Sequence, residues 1–94
     1  MISLKSKRSA QSRNWILYIL LCRDGTLYTG ITSDLSRRIR QHNNGSASRY
    51  TRCRRPVQCI YHEPCLNHSC AIKRELAVKS LPKKEKEKLI NKFR

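Results

Sequence analysis

Tyr18 and Tyr28 lie ten positions apart on two short apolar runs, Trp15 to Cys22 and Thr26 to Ile31, with Asp24-Gly25 between them. Two strands joined by a tight turn at Asp-Gly would place both phenols near one end of a small sheet. Arg38 and His42 follow at i and i+4, a spacing that puts two side chains on one flank of a helix. Arg38 stands three residues after Leu35, at the edge of that helix's apolar stripe, where a guanidinium can clamp a phosphate with two hydrogen bonds. Each of these residues also has a plain structural reading. Tyrosines pack well in strands. Arg38 has the surface arginines Arg37 and Arg40 as neighbours, and a histidine at a helix end interacts with the terminal dipole.

The chain has only 6 acidic residues, so each can be taken in turn. Asp24 belongs to the turn and Asp34 is placed to cap a helix. Glu63 precedes Pro64 in an expected loop, and Glu85 and Glu87 sit among lysines on a solvated face. Glu75 differs. Ala71, Glu75 and Val78 fall at i, i+4 and i+7, which puts the carboxylate in or beside the apolar stripe of its helix. Burying a carboxylate is costly unless it is paired or binds a cation. Two readings therefore stand side by side: an ion pair with Lys79, Lys73 or Arg74, or a metal ligand. A two-metal centre needs several convergent acidic ligands, which this composition can hardly supply. A single Mg²⁺ or Mn²⁺ held by one carboxylate, waters and a substrate phosphate is feasible.

Against those 6 acids stand 21 lysines and arginines, for a formal net charge of +15. Folding does not need that excess, and self-repulsion opposes compaction. Such a field suits a polyanionic partner, nucleic acid first and an anionic membrane surface second. Lys5, Lys7, Arg8 and Arg13 precede the apolar run of Trp15 to Cys22, an order found in signal peptides. The run is short, however, and Arg23-Asp24-Gly25 follows with no small-residue cleavage site, so a buried strand explains it better. No segment is long enough to cross a bilayer, and the expected location is the cytoplasm. The five cysteines, Cys22, Cys53, Cys59, Cys65 and Cys70, contain no C-x-x-C pair. They read as free thiols in a reducing compartment, with no zinc expected.

The 94 residues leave room for one small domain. Residues 1–14 are polar and basic without periodicity and read as a disordered arm; the folded part is expected over 15–92. Trp15 to Cys22 is apolar throughout, as a strand covered on both faces would be, and Thr26 to Ile31 is the return strand. Asp34 caps a helix from Leu35 to about Asn43, which ends at Asn43-Asn44-Gly45. A loop from Ser46 to Pro56 follows, loaded with Arg49, Arg52, Arg54 and Arg55. Val57 to Tyr61 suits a third strand, broken by Pro64. Asn67 or Ser69 caps a second helix to about Ser80. Pro82 opens a third, Lys83 to Lys92, with Leu89, Ile90 and Phe93 as its apolar contacts. The order β-β-α-β-α-α makes a small α/β (α+β) domain, a three-stranded antiparallel sheet flanked by helices.

Taken together, Tyr18, Tyr28, Gly30, Arg38, His42 and Glu75 in this order resemble the GIY-YIG nuclease superfamily, and in particular its small stand-alone bacterial subfamily. The first family triplet falls on Ile16-Leu17-Tyr18 and the second on Tyr28-Thr29-Gly30. The helix arginine matches Arg38 in Asp34-Leu-Ser-Arg-Arg-Ile39, the histidine matches His42, and the metal-binding glutamate matches Glu75. The likeness covers about residues 15–91 and includes the loop from Arg49 to Pro56. Ile16, Leu17 and Thr29 depart from the nominal triplet residues. The resemblance implies hydrolysis of phosphodiesters with one divalent ion, Mg²⁺ or Mn²⁺, on Glu75. It also implies that Tyr18 or Tyr28 activates water, that Arg38 steadies the charge on the phosphate and that His42 orients water or relays a proton. Gly30 would be structural. Arg37, Arg49, Arg52, Arg54, Arg55 and Lys73 would grip the DNA backbone without reading sequence. The expected function is a DNA endonuclease of little sequence specificity, in DNA repair or recombination. The alternative is a weakly active or inactive module that binds DNA or structured RNA.

Overall fold

β1 (Trp15–Leu21) is apolar on both sides, and it lies at the centre of the sheet, antiparallel to β2 (Leu27–Thr32) on one edge and β3 (Gln58–Cys65) on the other. The computed structural model describes residues 14–93 of the chain. Among them, the sheet is joined by helices α1 (Leu35–Asn43), α2 (Arg49–Arg52), α3 (His68–Lys79) and α4 (Lys83–Phe93). Leu17 and Ile19 bury against Tyr61, Val78 of α3 and Ile90 of α4. Tyr18, Leu20 and Cys22 bury on the other face with Val57, packed by Tyr28, Leu35, Ile39 and Cys59. A strand covered on both faces has no polar side to show, which is why its sequence runs apolar without alternation.

The β1–β2 turn is held by Asp24, whose Oδ1 accepts from the backbone N–H of Thr26 at 3.1 Å and from its hydroxyl at 2.6 Å. This turn sets a register in which Tyr18 pairs with Gly30. The absence of a side chain at Gly30 makes room for the phenol. A Cβ there would stand 2.5 Å from Tyr18 Oη and 2.6 Å from its Cζ.

Asp34 caps α1 as expected, its side chain accepting from the Arg37 N–H. The helix ends at Asn44, and Gly45 turns the chain with φ +87°. Asn43 then clamps the returning chain, donating to the Val57 carbonyl at 3.1 Å and accepting from the Val57 N–H at 2.8 Å. The basic stretch expected as a loop contains one turn of helix, α2, capped by Ser48. Asn67 caps α3, and Ala71 and Val78 of its stripe are fully buried.

One expectation needs correcting. β3 does not stop at Pro64 but continues through it to Cys65. β3 is an edge strand, where a residue without an N–H is tolerated on the unpaired side. Glu63 therefore lies in a strand and not in a loop. Of the expected basic arm, residues 1–13 lie outside the described residues, as does the side chain of Phe93.

The Tyr18–Gly30 contact predicts that Gly30→Ala destabilises the fold by about 1–3 kcal/mol through overpacking. In a Tyr18→Leu background the same substitution should cost well under half as much. Urea unfolding of the four proteins of this cycle checks it; equal costs in both backgrounds would contradict the contact.

Candidate active site

Tyr18 lies on the central strand with its ring across Gly30, and His42 comes down onto it from the last turn of α1. The two meet in a buried hydrogen bond, Tyr18 Oη to His42 Nε2, at 2.9 Å. The other ring nitrogen, Nδ1, is 2.8 Å from the hydroxyl of Thr51, a side chain with no solvent exposure. Thr51 in turn donates to the Ser48 carbonyl at 3.4 Å. We assign the Thr51 proton to that carbonyl, which makes the Thr51 oxygen the acceptor for His42 Nδ1–H. Nε2 is then the acceptor, and the Tyr18 hydroxyl donates to it. The chain of bonds runs Tyr18 to His42 to Thr51 to Ser48, and with this assignment the imidazole is the Nδ1–H tautomer.

Burial, and to a lesser degree the Arg38 guanidinium, hold His42 down to about pKa 4. His42 also lies in the last turn of α1, the position of the helix-end reading, but its ring is turned inward to Tyr18 and Thr51. Burial pushes the Tyr18 phenol well above the usual tyrosine range, and Tyr28 and Glu75 add to the rise while Arg38 opposes it. Tyr28, Arg38 and Glu75 thus act on this phenol through their charges, and His42 through its hydrogen bond. Tyr28 stands edge-on to the His42 ring with centroids 5.1 Å apart. Arg38 Nε is buried and has no hydrogen-bond partner among the described residues. A buried guanidinium nitrogen left without a partner is expensive unless a ligand satisfies it.

Glu75 has a side chain only 21% exposed and pairs with Lys79 at 3.2 Å. The ion pair is the reading of this residue that the structure displays, and the carboxylate also adds to the rise of the Tyr18 phenol. Among the described residues no three His, Cys, Asp or Glu side chains converge as a ready-made metal cage. Of the other acids, Asp24 pairs with Arg54, Glu85 with Lys88, and Asp34 caps α1. Glu63 accepts from Arg74 Nε at 2.6 Å and from the Tyr61 hydroxyl. Burial alone would raise the Glu63 carboxyl, but the bonds from Arg74 and Tyr61 bring it below its ordinary value.

The basic residues divide by role. Arg37, Arg49, Arg52 and Lys73 are exposed. Arg54 is not a free cation: its Nε donates to Asp24 at 3.0 Å, its Nη1 to the Tyr50 carbonyl at 2.8 Å, and its guanidinium covers the Tyr50 ring at 3.8 Å. Tyr50 stacks in turn on Tyr28, with centroids 5.8 Å apart. Thr51 and Tyr50 were not anticipated from sequence. The available signal was a Ser48-x-x-Thr51 cap inside the arginine-rich stretch, which marks a short helix able to point a hydroxyl inward.

A sequence profile of the GIY-YIG catalytic domain matches residues 14–89. The chain belongs to the GIY-YIG family. It is 51% identical over 77 residues to a UPF0213 protein of Desulfotalea psychrophila, spanning 81% of this chain and 70% of that one. It is 47% identical to a UPF0213 protein of Staphylococcus saprophyticus over 80% of this chain and 92% of the relative. Among solved structures, the solution NMR structure of a protein from E. faecalis is similar with TM-score 0.60 and 38% identity, covering 86% of each chain. That of a UPF0213 protein from Bacillus halodurans gives 0.55 and 38% over 83% of each. These relatives share the three-stranded α+β fold. Membership of a GIY-YIG nuclease family implies a nucleic-acid substrate, and nucleases of this family generally use a divalent metal ion. Among the described residues no helix is long and apolar enough to cross a membrane.

The depressed pKa of His42 has a sign that can be tested. The unfolded chain, with an ordinary histidine near 6.5, takes up a proton before the folded one does. Stability attributable to His42 is therefore complete above about pH 6.5 and is lost as the pH falls toward 4. Between pH 7.5 and pH 5 the loss should be about 2 kcal/mol. Urea unfolding at the two pH values checks this, and His42→Gln should remove most of the difference.

Proposed function

We propose that the protein is a metal-dependent DNA endonuclease that hydrolyses phosphodiesters with little intrinsic sequence specificity. The observation that carries this reading is the buried, unpartnered Nε of Arg38 beside a phenol already hydrogen-bonded to a neutral imidazole. A phosphate oxygen would satisfy that nitrogen, and the guanidinium would hold the growing negative charge of the transition state.

Free phenols are poor bases at neutral pH, and Tyr18 is raised further. Its hydrogen bond offers a way around that difficulty. As water attacks phosphorus and the P–O bond to the leaving oxygen breaks, the water proton would move to Tyr18 Oη while the Tyr18 proton moves to His42 Nε2. The leaving oxygen would take up a proton from solvent, and the buried imidazolium, kept acidic by its surroundings, would release its own to solvent. The phenol need never stand free as a phenolate. Thr51 keeps Nδ1 protonated and Nε2 available throughout. Tyr28 lies against the imidazole, closing one side of the site. The hydrogen bond of Tyr18 to the imidazole favours it over Tyr28 as the proton-accepting group.

A single hard cation suits the donor set. Glu75 supplies one carboxylate, and an ion such as Mg²⁺ or Mn²⁺ takes its remaining ligands from water and phosphate oxygens. When bound, the ion would polarise the phosphate and offset charge at the leaving oxygen. Lys79, the more exposed partner, would have to release Glu75 for this, and the bound cation would replace it as the carboxylate's counter-charge. Arg37, Arg49, Arg52, Arg55 and Lys73 supply the backbone grip. Arg54 is withdrawn from that set and keeps the Tyr50–Tyr28 stack in place. A role in DNA repair or recombination and a cytoplasmic location fit a basic, sequence-tolerant nuclease without a cysteine framework.

Incubation with nicked, branched and supercoiled DNA in Mg²⁺ or Mn²⁺ tests the reading. Cleavage should fall at least about 100-fold in Glu75→Gln and Arg38→Ala, with DNA binding retained in Glu75→Gln. Removal of metal by chelation should abolish cleavage. Cleavage that survives both substitutions, or binding without cleavage of any substrate, would overturn it; the latter favours the binding-module alternative.

A further inference from the structure

Beside the C-terminal end of α1 lies an open cleft of about 460 Å³ lined by Arg23, Asn43, Arg52, Cys53, Arg55 and Pro56, a set that does not include Arg38. Three of those six residues are arginines, and none is acidic. Arg55 is pre-set there: its Nε donates to the Arg52 carbonyl at 2.9 Å and its Nη1 to the Asn43 carbonyl at 3.4 Å. Gly45 lets it sit close, since a Cβ at that position would stand 2.8 Å from Arg55 Nη1. A guanidinium anchored by neutral carbonyls keeps its full charge, unlike Arg54, which is neutralised by Asp24. The backbone N–H of Arg23 bonds the Arg54 carbonyl at 2.9 Å, which brings the β1–β2 turn, and with it the Arg23 side chain, to the cleft. The side chains of Arg23 and Arg52 form no ion pair among the described residues.

We propose that this cleft is a phosphate-binding subsite for the nucleic-acid backbone, distinct from the Tyr18–His42 centre and held in fixed register with it. The register comes from Asn43, which lines the cleft, adjoins His42 in the chain, and is clamped to Val57 by two reciprocal hydrogen bonds. A phosphodiester seated on Arg23, Arg52 and Arg55 would fix how far the bound strand can slide before the scissile phosphate reaches Arg38. The volume exceeds what a bare phosphate needs and leaves space for the attached sugar. The identity of the polyanion rests on the nuclease reading; the presence of an anion site does not.

The test is binding of a short fluorescently labelled DNA duplex in EDTA, followed by anisotropy over a series of NaCl concentrations. Arg23→Gln/Arg52→Gln removes two exposed cations and leaves the anchored Arg55 in place. It should weaken binding and lower the slope of log K against log salt by about two. Lys84→Gln/Lys92→Gln on α4, which packs on the opposite face of the sheet, should leave the slope nearly unchanged. In parallel, titration of the wild-type chain with inorganic phosphate should shift the Arg55 Nε–H NMR signal saturably, and the cleft double variant should lose that saturation. Equal slope changes in the two variants, or an undiminished slope in the cleft variant, would overturn the subsite while leaving the nuclease reading intact. Saturable phosphate binding with no duplex binding would overturn both the nucleic-acid assignment and the nuclease reading.

Discussion

The structure turns on the buried hydrogen bond between the Tyr18 phenol and the His42 imidazole. Neither group tolerates burial alone. An unpaired hydroxyl or ring nitrogen in a packed core costs about 1–3 kcal/mol, and a charged imidazole costs more. Everything near the pair follows from satisfying it. Gly30 vacates the space the phenol fills. The capped turn of α2 delivers Thr51 to the far ring nitrogen. The Asn43–Val57 clamp fixes the end of α1, and so the height at which His42 meets the sheet. A strand, a helix end and the capped turn after it are bound to one another by the two hydrogen bonds of one imidazole. The same contact leaves the imidazole neutral and its acceptor nitrogen aimed at a phenol, which is also the arrangement that moving a proton from water would require.

Charge is distributed with equal economy. The acids are few, and most are occupied by cations that would otherwise face solvent: Asp24 by Arg54, Glu63 by Arg74, Glu85 by Lys88. Such exposed or half-exposed pairs contribute little stability. Their effect is to decide which arginines keep an undiminished field. Arg54 is spent on Asp24 and on the face of Tyr50, whereas Arg38, Arg52 and Arg55 have no acidic partner among the described residues. A protein with 21 basic residues can thus still present a pattern of cations and not a uniform coat.

The architecture was largely legible because local chemistry agreed with it. The unbroken apolar run read as a two-sided strand, Asp24-Gly25 as its turn and Asp34 as a cap, and each appears in that role; of Asn67 and Ser69, the structure uses Asn67. Pro64 misled because its cost depends on whether a strand is central or at an edge, which is a property of the sheet. Glu63 was misplaced for the same reason. Of the site, the residues at helical and strand spacing were readable, but the partners that hold them were not. Thr51 lies nine positions from His42 across a turn, and nothing in the periodicity of either segment points one at the other. The division of labour among the arginines was likewise invisible, since it is set by which carbonyls and carboxylates happen to lie within reach.

The central claim is that His42 is a neutral acceptor, protonated on Nδ1 by virtue of Thr51 and hydrogen-bonded from Tyr18 through Nε2. Nitrogen-15 NMR of the His42 ring reads this directly. The account predicts a neutral ring in the Nδ1–H tautomer from pH 8 down to about 5, with the pattern lost in Thr51→Val and kept in Thr51→Ser. A ring that is protonated near pH 6, or one that carries its proton on Nε2 in the native protein, would contradict it.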